Sequence, residues 1–144
     1  MKGMDMEGIK AVLPHREPFL WVDLISDYES LKYADGIYHV KEDEFWAPGH
    51  FPKNPVFPGV LILECMAQVG GFVFIDQAVE GQYAFLSKVD DLKYCRKISV
   101  GEQIDIHAEF VRSFNKYAEV DVIAKVEGKK AAQCKITYTF MNKL

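Results

Sequence analysis

The sequence has 144 residues, enough for one domain that buries about two-thirds of its unfolded surface, so we expect a single domain over residues 1–144. Hydrophobic residues make up 49% and charged residues 26%, which is typical of a folded globular chain and excludes a mostly disordered one. The net charge of −4 argues against a general nucleic-acid-binding function.

The first forty residues predict one short helix and two extended segments. Residues 4–13 can form a helix, which Pro14 would end. The apolar run over residues 20–28 predicts a strand. Residues 31–42 alternate only in part and contain Asp35-Gly36, which indicates a hairpin or a bulged strand.

The stretch over residues 49–75 holds the main candidate for function. Its prolines and glycines fix a loop that contains His50, and a mostly apolar helix then begins at Gly59 and is expected to end near Gly81. Glu64 and Gln68 are the strongly polar residues of this run, and their spacing of four puts them on one helix face. A helix that is apolar almost all round is a buried helix. A carboxylate buried there costs several kcal/mol unless it is paired or protonated, so Glu64 is a candidate functional residue.

Other interpretations of this stretch stay open. The apolar run is long enough to span a membrane, but the central Glu64 and the flanking glycines and prolines argue against a span. Glu64 could be a structural carboxyl that backbone donors or Arg16 satisfy. Cys65 could be a nucleophile, but it points about 100° away from Glu64 around the helix, and small core thiols are common.

The rest of the chain predicts four strands, over residues 82–94, 104–111, 120–126 and 134–140, with turns at Gly101 and Gly128. Period-two alternation indicates an antiparallel sheet with one buried face, and it places His107 on the wet face. One long helix and about six strands predict an α+β fold in which the sheet wraps around the helix. A single curved sheet cannot cover a helix that is apolar all round, so we expect a second copy of the chain to cover the rest.

The three cysteines, Cys65, Cys95 and Cys134, are far apart and lack the Cys/His spacing of a metal site. They are expected to be small core residues in a reducing compartment. The N-terminal residues contain no apolar segment typical of a secretion signal. We therefore expect a cytoplasmic protein that holds no metal.

His50, Glu64 and the start of the central helix supply the groups that one class of reaction needs. The helix start leaves free backbone N–H groups and a partial positive charge, which can polarise a carbonyl. An imidazole and a carboxyl can take and give protons. Together these groups predict proton transfer at the carbon next to a thioester carbonyl.

These motifs resemble those of the (3R)-hydroxyacyl-[acyl carrier protein] dehydratases, the FabZ-like branch of the hotdog fold. The resemblance rests on LPHREPFLWVD at 13–23, GHFPKNPVFPGVLILECMAQ at 49–68 and LKYCRKISVGEQI at 92–104. It implies a hotdog fold and the dehydration of (3R)-hydroxyacyl thioesters to trans-2-enoyl thioesters, in type II fatty acid synthesis or a related acyl pathway. It implies no cofactor and no metal.

The resemblance also implies roles for particular residues. His50 is the expected base and Glu64 the second acid–base residue, with Gln68 supporting Glu64. The Gly59 N–H is expected to bind the thioester oxygen, with Val60 beside it in the substrate site. The family implies a homodimer, alone or in a trimer of dimers, whose sites combine His50 of one subunit with Glu64 of the other.

The partner that the resemblance implies is acyl carrier protein, which is strongly acidic. Docking such a partner needs a local basic patch even on a chain of negative net charge. We expect this patch to consist of Lys88, Lys93, Arg96 and Lys97, close to the third motif. The alternative, that these residues form an ordinary solvated strand face, stays open.

The chain departs from the family motifs at Glu17, Leu24, Lys97 and Val100 and over residues 43–47. These departures leave the acyl length and the carrier open more than the reaction. Two other functions remain alternatives: a hotdog acyl thioesterase, in which Glu64 would activate water, and a non-catalytic acyl-binding subunit. The presence of both His50 and Glu64 favours the dehydratase.

Overall fold

The computed structural model describes residues 3–77 and 82–142. Within these ranges the helices are α1 (Met6–Val12) and α2 (Gly59–Gly70), and 3₁₀ turns cover Ala47–Gly49 and Gly71–Gln77. The strands are β1 (Leu24–Glu29), β2 (Tyr33–His39), β3 (Gln82–Tyr94), β4 (Gln103–Phe114), β5 (Tyr117–Val126) and β6 (Lys129–Asn142).

The six strands form one antiparallel sheet in the order β1-β2-β4-β5-β6-β3, so β1 and β3 are its two edges. Helix α2 packs on the inner face against β2, β4, β5 and β6. Alternate residues of β4 and β5 point into this core, as the period-two pattern predicts. The predicted α+β hotdog fold, a sheet wrapped around a central helix, is confirmed.

The central helix is shorter than predicted. Regular α-helix ends at Gly70, and the chain continues as a 3₁₀ turn that is kinked at Phe74 (φ −108°). Two consecutive glycines at 70 and 71 weaken the helix at this point, because glycine loses more backbone freedom than other residues. The end predicted near Gly81 lies outside the described residues.

The first two predicted strands are also shifted. Residues 20–22 are buried but precede β1, and the backbone N–H of Trp21 donates to the Gln68 side chain instead of to a strand. The turn between β1 and β2 falls at residues 30–32, where Leu31 has φ 58°. Asp35-Gly36 therefore lies inside β2, where Gly36 faces Val69 of α2, and it does not form a hairpin turn.

The stretch Gly59–Asp76 is long and apolar enough, by length and composition alone, to cross a membrane, but 61% of it is buried inside the protein. A core helix of a soluble protein has the same properties, so this is weak evidence for a span. Cys65 and Cys134 are buried as predicted, whereas Cys95 is exposed and is not a core residue.

Candidate functional site

His50 lies in a loop that orients its imidazole ring. It follows the 3₁₀ turn Ala47–Gly49, and its Nδ1 lies 2.6 Å from the carbonyl oxygen of Val56. A carbonyl oxygen can only accept, so the neutral ring carries its proton on Nδ1 and keeps a lone pair on Nε2. Val56 is held in turn by a backbone bridge to Ser99. The loop thus presents Nε2 as a base.

Glu64 lies on the second turn of α2 and is partly exposed, because 22% of its side chain remains accessible in one chain. Its Oε2 accepts a hydrogen bond from Gln68 Nε2 at 3.0 Å and lies 3.4 Å from His15 Nε2. Oε1 has no partner among the described residues. This leaves Oε1 as the oxygen that can face a substrate.

Gln68 fixes the orientation of the Glu64 carboxyl. Its Oε1 accepts from the Trp21 N–H at 2.8 Å, and its Nε2 donates to the Phe19 carbonyl at 3.1 Å as well as to Glu64. Because Trp21 N–H must meet an oxygen, the amide cannot flip, and its NH₂ group must face Glu64. Gln68 is 2% exposed, and its hydrogen bonds satisfy the whole amide.

His15 is a site residue that the sequence reasoning did not assign. Its ring approaches Glu64 from the segment after α1, and its Nδ1 is buried without a hydrogen-bond partner among the described residues. The signal was its place in the first motif, directly before Arg16. The Arg16 guanidinium instead donates to the carbonyls of Lys10, Leu13 and His15, so the suggested Arg16–Glu64 pair is wrong.

The start of α2 lies at the surface beside Tyr94. The backbone N–H groups of the first helical residues have no acceptor within the helix, and these include Gly59 and Val60. The Tyr94 hydroxyl donates to the Gly59 carbonyl at 2.6 Å, and a Cβ on Gly59 would lie 3.0 Å from the Tyr94 ring. Val60 is 72% exposed. A thioester oxygen could therefore reach the helix start from outside.

A cavity of about 450 Å³ extends from Glu64 along α2 towards Ile75. Its walls come from the end of α1, the helix face of Glu64 and Gln68, the first half of β3 and the end of β6. Most of its lining is apolar, including Phe74, Tyr138 and Phe140. The shape and lining suit an extended apolar chain with its polar end at Glu64.

One chain does not bring the two predicted catalytic residues into one site. Glu64 lines the cavity, but His50 is not among the described residues that line it. The described polar contact of His50 is to Val56, and those of Glu64 are to Gln68 and His15.

The four predicted docking residues differ in their surroundings. Lys88 lies 3.5 Å from Asp90, and Arg96 forms a two-pronged ion pair with Glu102, at 2.6 Å and 2.9 Å. Lys93 and Lys97 are exposed and have no ion pair among the described residues. Glu102 also accepts from the Ser99 N–H, so Arg96 has a structural role in this turn.

Two other kinds of site were considered from the sequence, a cysteine nucleophile and a metal site. Burial raises the pKa of the Cys65 thiol, which keeps it in the unreactive protonated form. Among the described residues, no group of three His, Cys, Asp or Glu side chains has the geometry to hold a metal ion. The groups at hand are those of acid–base chemistry.

Comparison with known sequences finds a family match over most of the chain. The model of the FabA-like domain family matches residues 13–135. The chain is 38% identical to a Vibrio cholerae protein named 3-hydroxyacyl-[acyl-carrier-protein] dehydratase FabZ, over 88% of this chain and 85% of that one. It is 35% identical to the Bacillus subtilis protein of the same name, over 94% of this chain and 96% of that one.

Solved structures share the fold at low identity. The dehydratase heterocomplex ApeI:P from Xenorhabdus doucetiae superposes with a TM-score of 0.80 at 16% identity, over 94% of this chain and 91% of that one. A hypothetical thioesterase from Streptococcus pneumoniae, solved with coenzyme A, gives 0.62 at 14% identity, over 83% and 88%. At these identities the likeness concerns the fold alone.

Proposed function

The chain belongs to the FabA-like family and is a 3-hydroxyacyl-[acyl-carrier-protein] dehydratase of the FabZ-like branch, and we propose that His50 and Glu64 are its catalytic pair. It removes water from a 3-hydroxyacyl thioester in fatty acid biosynthesis and leaves a 2-enoyl thioester. The observation that carries the assignment of the pair is the Glu64 carboxyl, which Gln68 orients in the wall of a mostly apolar cavity.

His50 takes the proton from the carbon between the thioester and the hydroxyl group. The Nδ1 contact to Val56 leaves Nε2 as the base. As that proton leaves, negative charge develops on the thioester oxygen. The Gly59 N–H, with Val60 beside it at the positive end of α2, stabilises this charge.

Glu64 completes the reaction by giving its proton to the departing hydroxyl group, which leaves as water when the carbon–oxygen bond breaks. Gln68 and His15 face Oε2, so Oε1 delivers the proton. His50 has gained one proton and Glu64 has lost one, and exchange with solvent restores both. Every step uses side chains and backbone groups of the protein alone.

The two residues meet across a homodimer. The supporting observation is that one chain keeps His50 apart from the cavity of Glu64. Edge strand β3 pairs with β6 on one side only among the described strands, and its side chains Phe85, Leu86 and Leu92 are exposed, as is Val60 at the start of α2. A second copy would cover these side chains and bring its own His50 to Glu64. Such dimers could assemble further into a trimer of dimers.

The substrate arrives on acyl carrier protein, for which the exposed ammonium groups of Lys93 and Lys97 offer a docking surface. Lys88 and Arg96 contribute less, because Asp90 and Glu102 already neutralise them. The free thiols of Cys65, Cys95 and Cys134 support a cytoplasmic location.

The test of the pair is turnover of a 3-hydroxyacyl carrier substrate, followed by the absorbance of the enoyl thioester. We expect His50→Ala and Glu64→Gln each to lower kcat at least ~10²-fold, the usual scale for general acid–base residues. Glu64→Gln should leave the melting temperature unchanged or raised, because it removes a partly buried ionisable group. His39→Ala and Glu42→Gln, which alter exposed residues, serve as controls.

Near-normal turnover by either variant on its true substrate would show that the residue is not catalytic. A thioesterase would instead release free thiol from acyl thioesters without forming the enoyl product, and a non-catalytic acyl-binding subunit would do neither. Measuring thiol and enoyl product in the same reaction separates the three functions.

A further inference from the structure

Residues 46–57, which carry His50 and are called the histidine loop below, are closed by two buried aromatic rings. Trp46 precedes the 3₁₀ turn and Phe57 lies just before α2; they are 6% and 1% exposed, and their rings lie 5.3 Å apart. The Tyr38 ring of β2 stacks on Phe57 at 5.8 Å. Both ends of the histidine loop are therefore held against β2.

Glu44 accepts hydrogen bonds with both carboxylate oxygens from the aromatic residues at this end of the histidine loop. Its Oε1 accepts from the Trp46 indole N–H at 2.8 Å, and its Oε2 accepts from the Tyr38 hydroxyl. The backbone N–H of Ala47 donates to the Glu44 carbonyl at 3.1 Å. One residue thus ties the first turn of the histidine loop to strand β2.

The position is costly for a carboxylate. No cation bonds to Glu44 among the described residues: the Lys41 ammonium lies over the Tyr38 ring and pairs with Asp23. Burial raises the pKa of Glu44, which the hydrogen bond from Trp46 opposes in part. A half-buried carboxylate with only neutral donors contributes little net stability, but its two hydrogen bonds fix the relative positions of the Trp46 indole and the Tyr38 ring.

We propose that Glu44 is a positioning residue for the catalytic base, which holds the Trp46 indole and the following turn so that His50 Nδ1 reaches the Val56 carbonyl. The inference rests on the proposed role of His50. Glu44 is not among the described residues that line the cavity, so it acts through the histidine loop and not on the substrate. If the indole rotates, the turn moves, and the 2.6 Å contact that selects the Nδ1–H tautomer lengthens.

The main variant is Glu44→Leu, which nearly keeps the volume of the side chain but removes both acceptor oxygens, so neither the Trp46 indole N–H nor the Tyr38 hydroxyl keeps its partner. We expect kcat to fall about 10- to 100-fold, since a 1 Å misplacement of a reacting group can cost this much. KM should stay within about twofold of the wild-type value, because the cavity is untouched. Glu42→Leu, at an exposed position two residues away, is the matched control and should behave as wild type.

A second readout does not depend on activity. The ¹⁵N spectrum of the His50 ring should show one neutral tautomer, protonated at Nδ1, in the wild-type protein. In Glu44→Leu both tautomers should be present. Trp46→Phe removes the indole donor and should have the same effect, and the double variant should be no worse than the worse single variant, because both act through one contact.

Two results would overturn the inference: Glu44→Leu with kcat within about twofold of wild type, or a loss of kcat with an unchanged His50 spectrum. If Glu44→Leu does not fold, Trp46→Phe and Tyr38→Phe, which each remove one donor, decide the question in the same assays. If the wild-type protein shows no dehydratase activity, the proposed function fails, while the tautomer spectra still decide whether Glu44 positions His50.

Discussion

On the outer face of the sheet, carboxylates on two strands hold the His107 ring. Its Nδ1 lies 2.6 Å from Asp35 of β2, and its Nε2 lies 3.2 Å from Glu109 of β4, while Tyr33 stacks on the ring. Burial alone would lower the pKa of His107, but the hydrogen bonds and charges of Asp35 and Glu109 outweigh burial and raise the pKa above 6.5. The folded protein therefore binds the imidazole proton more tightly than the unfolded chain does.

This difference predicts a pH-dependent part of the stability. The raised pKa means that the His107 contribution is fully present below the unfolded value, near 6.5, and is lost as pH rises through the folded value. We expect His107→Gln to lower the melting temperature more at pH 5.5 than at pH 8.5. Asp35→Asn, which removes the main partner, should abolish most of this pH dependence. An equal loss at both pH values would contradict the assignment.

At the scale of elements, the close packing of α2 on the sheet depends on two glycines that face large side chains. A Cβ on Gly36 of β2 would lie 2.6 Å from Val69, and a Cβ on Gly70 would overlap the Tyr138 hydroxyl and lie 3.2 Å from Val120. The Tyr138 hydroxyl donates to the Ala67 carbonyl at 2.6 Å, so the phenol fills the groove that Gly70 leaves open. This packing sets the position of the helix that carries Glu64.

Gly70→Ala is therefore expected to destabilise the protein by about 1–3 kcal/mol, the usual cost of overpacking, measured by urea unfolding. Tyr138 is buried and cannot move aside. Adding Tyr138→Phe removes the overlapping oxygen and should recover part of the loss, and the Ala67 carbonyl keeps its bond from the Gly71 N–H. Full stability in the single variant, or no recovery in the double variant, would contradict this account.

The end of β3 and the segment after it contain a structural ion pair and two lysines, Lys93 and Lys97, that have no ion pair among the described residues. This difference decides which residues are changed to test carrier docking. Reversing Arg96 would break its pair with Glu102 and disturb the turn beside Val56, so Lys93 and Lys97 are the better positions. We expect Lys93→Glu with Lys97→Glu to raise KM for the carrier-bound substrate, more strongly at low salt.

The same double variant should leave turnover of a small thioester mimic unchanged. Lys116→Glu with Lys125→Glu changes the same charge at exposed positions on β5 and the turn before it, and it serves as the control. An equal loss of turnover on carrier-bound and small substrates would contradict the docking proposal. So would an equal effect of the control pair.

The sequence pattern predicted the helices and strands that have a strong periodicity of their own. It failed where a contact with a residue far away in the sequence determines the local structure. The alternation in β4 and β6 and the helix start at Pro58-Gly59 were visible in the sequence, as was the spacing of Glu64 and Gln68. Residues 20–22 look like a strand, but the Trp21 N–H donates to the Gln68 side chain, 47 residues away. His15 reaches Glu64 in the same way, from a segment far away in the sequence, which no local pattern encodes.

At the scale of the whole molecule, a single chain leaves several large apolar side chains exposed. Val60, Leu86 and Leu92 lie on the start of α2 and on edge strand β3, and Phe51 is exposed next to His50. Soluble monomers seldom leave this much apolar surface beside an unpaired strand edge. In the proposed dimer this surface would bring His50 of one chain to the cavity of the other, which would make catalysis depend on assembly.

That link predicts complementation between two inactive variants. A His50→Ala chain and a Glu64→Ala chain are each expected to be nearly inactive, and their subunits are then mixed and allowed to exchange. In a mixed dimer with shared sites, one site collects both defects while the other receives an intact His50 and an intact Glu64. With random pairing, half the dimers are mixed and half their sites work, so activity should return to roughly a quarter of wild type.

If each site were built within one chain, every site would keep one defect, and a verified mixed dimer would stay inactive. Native mass spectrometry of the exchanged sample verifies the mixed species, so the absence of activity in its presence would refute the shared site.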